Sequence, residues 1–394
     1  MRMLVVAPQP FFSPRGTPFS VYYRALVMAE QGVKIDLLAY GTGQDVDFPN
    51  LRIVRIPRIR LLEPIPVGPS MKKLFLDVFM VLWTVGLLIR HRYKVVHAHE
   101  EAVFWCRALK PIFRFRLIYD MHSSLPQQLS NFKFTESGLL IKTFKVLEDS
   151  CLRAANAVIT ICPDLRDYAL KAGVNPGRHL LIENSIFDDV RLKAAQNKDG
   201  SVSAAPAPAY VFDPAHPTIL YAGTFEAYQG IDVVVKAFAK VSAQRPAARL
   251  LLVGGTEEQV SKIRTLVNDL GLNDIVTLTG RVSKTEAIRY TQTAQVLLSP
   301  RLHGTNTPLK IYEQLASGKP LVATRIWSHT QVLDDQVCYL VDPEPESMAG
   351  GIIAALDDLG HKTDRVKAAR ALYEREYSRP VYETKIRQLL EIVA

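Results

Sequence analysis

Residues 299–324 read SPRLHGTNTPLKIYEQLASGKPLVAT, and their pattern is the most informative about the fold of the second half of the chain. A short apolar strand ends at Pro300, a small polar loop follows, and Pro308 stands at the first position of a predicted helix. Gly318 marks the end of that helix, before another apolar strand begins. A strand, a helix and a second strand in this order are typical of a parallel sheet that is covered by helices.

The same alternation extends from this stretch in both directions. Strands are predicted at residues 3–7, 34–39, 52–56, 94–97, 116–119, 157–161, 218–222, 249–253, 275–279, 295–299, 320–323 and 338–341, with helical segments between most of them. We therefore predict an α/β protein of two Rossmann-like, doubly wound domains. Because such sheets bind ligands at the carboxyl ends of their strands, we expect the two domains to face a cleft.

Composition changes sharply between the two series of strands. Residues 201–209 read SVSAAPAPA, a sequence that cannot bury a core and is typical of a flexible connection. We predict an N-terminal domain over residues 1–190, an Ala/Pro-rich connection over 191–217 and a C-terminal domain over 218–379.

Overall composition excludes several classes of protein. The chain has 394 residues, of which 48% are hydrophobic and 22% charged, as in globular proteins and unlike disordered chains. The four cysteines form no C-x-x-C pair, which argues against a zinc module or a disulfide scaffold. The chain opens directly on a predicted strand without a signal-peptide pattern, so we expect a cytoplasmic protein.

The charge pattern favours anionic partners, since Lys and Arg exceed Asp and Glu by nine. Basic and apolar residues alternate over residues 52–60 and 107–116, and an apolar run over 74–89 is too short to span a bilayer. Contact with an anionic membrane surface and ordinary solvated faces explain this pattern equally well. At most the protein is peripheral on the inner face of the membrane. Nucleic acid is not expected as a partner, because no recognition motif supports it.

Two polar loops of the first half are candidate binding sites. Arg15, Gly16 and Thr17 follow the first strand, where a helix start near Pro18 offers free amides to an anion. His122 follows another strand, and its imidazole is a candidate hydrogen-bonding or acid–base group. An ordinary turn and a structural histidine are the competing interpretations.

His97 and His99 share one face of a third strand end. Their spacing is compatible with metal ligands, but no third ligand is evident in the sequence. A structural role or contact with a substrate is therefore favoured over a metal site.

The loop of residues 304–307 is the strongest candidate site in the second half. It offers backbone N–H groups and the start of a helix to an anion, and Lys310 lies within reach of the same point. Glu313 follows on the helix, where its carboxylate is placed to accept the hydroxyl groups of a ribose.

On these residues the chain resembles the family 4 glycosyltransferases, which are retaining enzymes of the GT-B fold. The resemblance covers nearly the whole chain. It rests on the Pro-Arg-Gly-Thr loop, the Val-Val-His-Ala-His strand end, the Asp-Met-His loop, the segments YAGTFEAYQGI at 221–231 and LTGR at 278–281, and the helix PLKIYEQLASGKP.

The resemblance implies a nucleotide-sugar donor on the second domain, with its ribose on Glu313 and its base near Arg281. It implies a glycan or lipid-linked acceptor on the first domain, with Arg15, Gly16, Thr17, His99 and His122 on the acceptor side. His122 would orient the sugar or acceptor, and the reaction would need no metal and no cofactor. It also implies that a final helix over residues 380–394 packs back on the first domain.

The sequence departs from the family pattern at three donor-site positions. Thr305 replaces the first glutamate of the E-x7-E pair, and Thr224 and Gln229 replace an arginine and a lysine that clamp the diphosphate. Substitutes are available nearby: Arg301, Lys310 and the backbone amides of Gly304, Thr305, Asn306, Thr307 and Leu309.

Two other functions remain open from sequence. A nucleotide-sugar epimerase or hydrolase would need an additional acid–base pair, for example His99 or Glu100 working with His122. A non-catalytic sugar- or nucleotide-binding protein would suit the uncharged Thr224 and Gln229 and the missing first carboxylate at Thr305.

Overall fold

The structure is a computed structural model that describes residues 1–13, 16–66, 70–126, 138–184, 187, 210–359 and 364–394. It divides into two compact units. The first comprises Met1–Gln196 and Ser378–Ala394, and the second comprises Asn197–Tyr377.

The first unit contains a parallel sheet whose strands follow the order 3-2-1-4-5-6-7. The strands are β1 (Arg2–Val6), β2 (Lys34–Ala39), β3 (Leu51–Arg55), β4 (Val95–His99), β5 (Arg116–Met121), β6 (Ala157–Thr160) and β7 (His179–Leu181). The order reverses between β1 and β4, so their carboxyl ends define a switch point where ligands bind in such sheets.

Helices cover both faces of this sheet. They are α1 (Gly16–Glu30), α2 (Met71–Arg90), α3 (Ala102–Phe113), α4 (Gly138–Ala154), α5 (Pro163–Lys171) and the C-terminal α13 (Arg379–Ile392). Met3 and Val5 of β1 pack in one core with α1 and α13, while Leu4 and Val6 pack in a second core with α2, α3, α4 and α5. This alternation follows from the period of two along a strand.

The second unit repeats this plan with a parallel sheet ordered 10-9-8-11-12-13. Its strands are β8 (Thr218–Ala222), β9 (Arg249–Val253), β10 (Val276–Gly280), β11 (Val296–Ser299), β12 (Leu321–Thr324) and β13 (Tyr339–Val341). Its helices are α6 (Ile231–Gln244), α7 (Glu257–Asp269), α8 (Lys284–Thr293), α9 (Lys310–Ala316), α10 (Trp327–Thr330), α11 (Pro345–Asp357) and α12 (Asp364–Glu376). The switch point of this sheet lies between β8 and β11.

The predicted α/β class with two Rossmann-like sheets is confirmed, and the differences are local. Helix α1 begins at Gly16, earlier than predicted, and α9 begins at Lys310, two residues after the predicted start at Pro308. Most of the predicted connection, residues 191–209 of 191–217, lies outside the described residues. Tyr210 and Phe212, which the prediction assigned to that connection, pack their rings against Tyr290 in the second unit.

Candidate active site

In the first unit, a buried cluster of ionisable side chains lies where β4 and β5 end. The parallel register pairs His99 with Asp120, which brings together the side chains of the two strand ends. The Asp120 carboxylate lies 3.0 Å from Nε2 of His97, 3.4 Å from Nδ1 of His99 and 3.3 Å from Nε2 of His122. Nδ1 of His99 and Nε2 of His122 lie 3.0 Å apart.

Arg24 of α1 completes this cluster. It is fully buried, and its Nε lies 2.7 Å from the Asp120 carboxylate. Its Nη2 donates to the backbone oxygen of Ile182 at 2.9 Å. The cluster is therefore organised around one buried ion pair, between Arg24 and Asp120.

Burial, together with the charges in this cluster, sets the protonation of His99 and His122. Burial alone would raise the pKa of Asp120, but Arg24 and the neighbouring histidines hold it far below its usual value. Burial lowers the pKa of His122 to about 4, and burial together with His97 lowers the pKa of His99 well below its ordinary value. His122 and His99 are accordingly neutral imidazoles near pH 7, and each offers one donor and one acceptor nitrogen.

Asp120 is the third potential metal ligand that the sequence did not reveal. Ligand atoms of His97, His99 and Asp120 lie within 4.8 Å of one another. Arg24 already compensates the charge of Asp120 in this arrangement, so the geometry is that of an ion-pair network that holds the histidines in place.

The remaining acceptor-side predictions fall at the switch point of the same sheet. Arg15 lies outside the described residues. Gly16 is exposed at the start of α1, and no protein atom approaches the position of a Cβ there within 4 Å. Oγ1 of Thr17 lies 3.5 Å from the Glu100 carboxylate, so the start of α1 meets the loop after β4. Burial and the neighbouring Glu101 raise the pKa of Glu100 to about 7.

In the second unit, two cations converge on the loop after β8. Lys310, on the first turn of α9, reaches Gly223, where an added Cβ would lie 3.2 Å from its Nζ. Its ammonium lies 6.0 Å from the centre of the Tyr221 ring. Lys310 thus places its charge beside Gly223, one residue before Thr224, where the resemblance implies an arginine.

Arg301 reaches the other end of the same loop. Its guanidinium lies 5.0 Å from the centre of the ring of Tyr228, the residue before Gln229. The backbone N–H of Leu302 donates to the backbone oxygen of Tyr228 at 2.8 Å. Nη1 of Arg301 donates to the backbone oxygen of Asn306 at 3.1 Å. Gly304 makes room for this side chain, because a Cβ there would lie 2.7 Å from the guanidinium carbon.

Neither cation has a carboxylate partner within 4 Å among the residues that the structure describes. Burial lowers the pKa of Arg301. Burial by the surrounding protein also lowers the pKa of Lys310, to about 8. The negative charge of Glu313 nearby partly opposes this shift, and part of the Lys310 side chain is exposed. Two partly desolvated cations, neither paired with a carboxylate within 4 Å among the described residues, are the arrangement expected at a phosphate site.

A buried hydrogen-bond network supports the loop that carries Arg301. Nε2 of His329 lies 2.9 Å from Oγ of Ser299, and its Nδ1 lies 2.8 Å from the backbone oxygen of Thr324. The Thr324 hydroxyl donates to the backbone oxygen of Arg301. The end of β11 is thereby tied to the end of β12, which fixes the origin of the Arg301 side chain.

The other predicted donor-site residues lie near these two cations in sequence or in the neighbouring loops, and their environments differ. Glu313 is half-buried on the first turn of α9, while Arg281 is exposed directly after β10. Thr224 is exposed, and Gln229 is the last residue of a short 3-10 turn.

The predicted residues of the loop before α9 make backbone contacts. The backbone oxygen of Thr305 accepts from the Gln331 side chain, and that of Asn306 accepts from Arg301. Leu309 is the residue directly before α9. Oγ1 of Thr307 is buried without a hydrogen-bond partner among the described residues.

Several residues that build these sites were not predicted from the sequence. Arg24 stands alone in an otherwise apolar stretch of α1, and Asp120 directly precedes the Met-His of its loop, so both left a signal in the sequence. Tyr228 and His329 left none, because their roles depend on contacts with Arg301 and Thr324 that only the folded chain creates.

Both units match known domain families. Residues 20–185 match the family "Glycosyl transferase 4-like domain", and residues 216–358 match the family "Glycosyl transferases group 1". The D-inositol 3-phosphate glycosyltransferase of Acidothermus cellulolyticus is 24% identical, over 87% of this chain and 78% of that protein. The phosphatidyl-myo-inositol mannosyltransferase of Mycobacterium leprae is 25% identical, over 100% of this chain and 97% of that protein.

Solved structures share the fold over almost the full length of the chain. The sucrose-phosphate synthase of Thermosynechococcus elongatus superposes with a TM-score of 0.74 at 21% identity, covering 99% of this chain and 98% of that one. The Anabaena protein HepE in complex with UDP gives a TM-score of 0.71 at 15% identity, covering 99% and 100% of the two chains. These likenesses show the GT-B architecture of two Rossmann-like domains. The two domain families, which together cover most of the sequence, identify the chain as a member of the family 4 glycosyltransferases.

Proposed function

We propose that this glycosyltransferase moves a sugar from a nucleotide-sugar donor to a hydroxyl group of a glycan or lipid-linked acceptor. In this proposal the donor diphosphate binds Arg301 and Lys310, and the reaction retains the anomeric configuration and uses no metal ion. The observation that carries the proposal is the position of these two cations. Both lie against the loop after β8, where the chain lacks the usual arginine and lysine.

Relatives support the two substrate classes. HepE has been solved with UDP and with UDP-glucose, which favours a nucleotide-sugar donor for this chain as well. The names of the M. leprae mannosyltransferase and of a phosphatidylinositol N-acetylglucosaminyltransferase subunit from Arabidopsis thaliana, which is 23% identical, refer to inositol lipids. An acceptor hydroxyl on a lipid-linked or glycan molecule is the corresponding inference here.

The proposed step breaks the bond between the anomeric carbon and the diphosphate oxygen. Negative charge then develops on the leaving phosphate, where Arg301 and Lys310 stabilise it without the help of a metal. The acceptor oxygen bonds to the same face of the sugar, and its proton passes to the leaving phosphate. The protein then needs no paired carboxylates of the kind that glycoside hydrolases use.

His122 has a positioning role in this scheme. Its low pKa makes it a poor proton carrier at neutral pH, but its neutral imidazole can hold a sugar or acceptor hydroxyl in place. The ion pair between Arg24 and Asp120 fixes the neighbouring histidines, and so limits the orientations that His122 can adopt.

A thermal-shift screen with UDP-, GDP- and ADP-sugars tests the donor class. A bound donor raises the melting temperature, because it stabilises the folded state by mass action. The sugar that gives a shift is then incubated with protein, with and without acceptor lipids, and the anomeric configuration of the product is read by proton NMR. EDTA should leave the rate unchanged.

Three results would contradict the proposal. Absence of a shift with every nucleotide would favour a non-catalytic protein. Epimerised or hydrolysed donor formed rapidly without acceptor would favour the epimerase or hydrolase alternative. An inverted product would exclude retention.

A further inference from the structure

Helix α2 carries a continuous apolar surface that faces solvent. Six of its side chains are each more than half exposed, and at 3.6 residues per turn their positions fall on one face of the helix. We call this face the outer stripe, and its members are Met71, Leu74, Phe75, Val78, Leu82 and Ile89. From Met71 to Ile89 the stripe is roughly 27 Å long at the rise of an α-helix.

The opposite face of α2 is also apolar. Leu76, Met80, Leu87 and Leu88 are buried in the core beneath the sheet. A helix that is apolar on both faces is typical of an element covered on both sides, yet the described residues cover only the inner face of α2. An apolar patch of this extent on a folded protein marks a surface that binds something.

The charge around this helix indicates what binds. Along the sequence, residues 51–116 contain thirteen Lys and Arg but four Asp and Glu, an excess equal to the formal net charge of +9 of the whole chain. Two of these arginines, Arg52 and Arg55, pair with Asp36 and Asp45 outside this segment. None of the four acidic residues is exposed: Glu63 pairs with Arg58, Glu101 with Lys73, Asp77 accepts from Tyr40, and Glu100 is half-buried. By contrast, Arg60, which precedes the helix in sequence, and Arg90, on its last turn, are exposed.

We propose that α2 docks this protein on an anionic lipid membrane, lying in the plane of the surface with the outer stripe among the headgroups and upper acyl chains. Apolar area and basic flanks are the two terms that hold an in-plane helix on such a surface. Within the described ranges, no helix combines the length and apolar character needed to cross a bilayer. A second copy of the chain is a poorer partner, because a symmetric contact would bring two basic surfaces together.

Docking through α2 has a consequence for the acceptor site, and this consequence rests on the proposed function. On its inner side, α2 places Lys73 2.9 Å from the Glu101 carboxylate, and Asp77 2.6 Å from the Tyr40 hydroxyl. The helix is therefore joined directly to the loop after β4. A membrane under the outer stripe would bring the headgroup of a lipid-linked acceptor close to Glu100 and Thr17.

Co-sedimentation with vesicles tests the docking, with wild-type protein and two double variants. One variant, Leu74→Gln/Leu82→Gln, removes apolar groups from the outer stripe, and the other, Arg60→Gln/Arg90→Gln, removes two positive charges. The control, Val211→Gln/Leu270→Gln, changes two exposed apolar residues of the second unit, which are 83% and 40% exposed. Vesicles are phosphatidylcholine with or without one-third phosphatidylglycerol.

We expect wild type and control to bind the anionic vesicles, and 0.5 M NaCl to weaken that binding by screening. Each double variant should lose at least about tenfold in affinity. Three results would overturn the proposal. The stripe variant could bind anionic vesicles as well as wild type does. Wild type could fail to bind anionic vesicles, or could bind neutral vesicles equally well. A lipid-free dimer, in sedimentation velocity, that the stripe variant abolishes would overturn it too.

Melting temperature and nucleotide binding are measured on the same variants. We expect both to match wild type, because the changed side chains are exposed and lie outside the donor site. Loss of vesicle binding by the stripe and charge variants, with nucleotide binding intact, would support docking through α2. If wild type failed to bind any nucleotide, the proposed donor would be contradicted. The vesicle result would still test the docking, because it does not depend on nucleotide binding.

Discussion

Arg24 in the first unit and Arg301 in the second are both shielded from solvent, but of these two only Arg24 is paired with a carboxylate among the described residues. Arg24 is fully buried with Asp120 at 2.7 Å, so the protein itself neutralises it. Arg301 contacts a backbone oxygen and the ring of Tyr228, and it has no carboxylate within 4 Å among the described residues. The first arrangement holds a structure together, whereas the second leaves charge available to an anionic ligand.

Changes at the Arg24 ion pair should therefore affect the stability of the fold, whereas changes at Arg301 and Lys310 should affect ligand binding. Removing the anion from the first unit should destabilise the fold, because it leaves a buried cation without a partner. Removing a cation from the second unit should cost little stability, since the desolvation penalty disappears with it. The same removal should weaken the binding of a diphosphate.

The largest expected effect is that of Asp120→Asn. Breaking a buried ion pair from one side costs about 3–5 kcal/mol, since Arg24 then stays buried and uncompensated. The free energy of unfolding in urea measures this. The matched control is Asp45→Asn, whose aspartate pairs with Arg55 at the same 2.7 Å distance but is 56% exposed, and it should cost at most about 1 kcal/mol. Equal losses in the two variants would show that burial does not distinguish these pairs.

An intermediate effect is expected for Arg301→Gln and Lys310→Ala. Each should weaken nucleoside diphosphate binding by about 10–100-fold, because a hydrogen bond to a charged phosphate contributes about 1.5–3 kcal/mol. Isothermal titration measures the affinity, and the melting temperature without nucleotide should stay near that of wild type. Lys319→Ala changes a lysine just past the other end of α9 and should bind normally. If Lys319→Ala weakened binding as much as the two site variants, the assignment of Arg301 and Lys310 would fail.

The smallest effect is a pH dependence of donor binding. With its pKa near 8, Lys310 is charged at pH 7 and mostly neutral at pH 9, so affinity should fall by about tenfold over this interval. Affinity should be lost as pH rises, because the protonated ammonium is the form that binds phosphate. Lys310→Arg, which stays charged throughout, should show a flat profile. A wild-type profile as flat as that of the arginine variant would remove Lys310 from the binding step.

Most of the fold could be predicted because buried parallel strands are continuous apolar runs. The bounds of β8 and β9 match the prediction at both ends. Strand β7 was missed, since His179–Leu181 is three residues long and only half-buried. The start of α9 was misplaced because proline at the first helical position is a local rule. In the structure, Pro308 instead forms a turn in which its oxygen accepts from the Ile311 N–H.

The candidate site was predictable only in part. The loop of residues 304–307 and Lys310 stand out because their spacing is local and visible in the sequence. That Lys310 reaches Gly223, and Arg301 reaches Tyr228, depends on β8 and β11 being neighbours at the switch point of the sheet. The pairing of Arg24 with Asp120 is likewise a contact between distant parts of the chain, which no spacing rule reveals.

A crystal structure of the protein with the nucleoside diphosphate of its donor tests the central claim most directly. We predict that phosphate oxygens lie within hydrogen-bond distance of both the Arg301 guanidinium and the Lys310 ammonium, beside Gly223 and Thr224. A nucleotide whose phosphates bind elsewhere, with both cations left without contact to them, would contradict it.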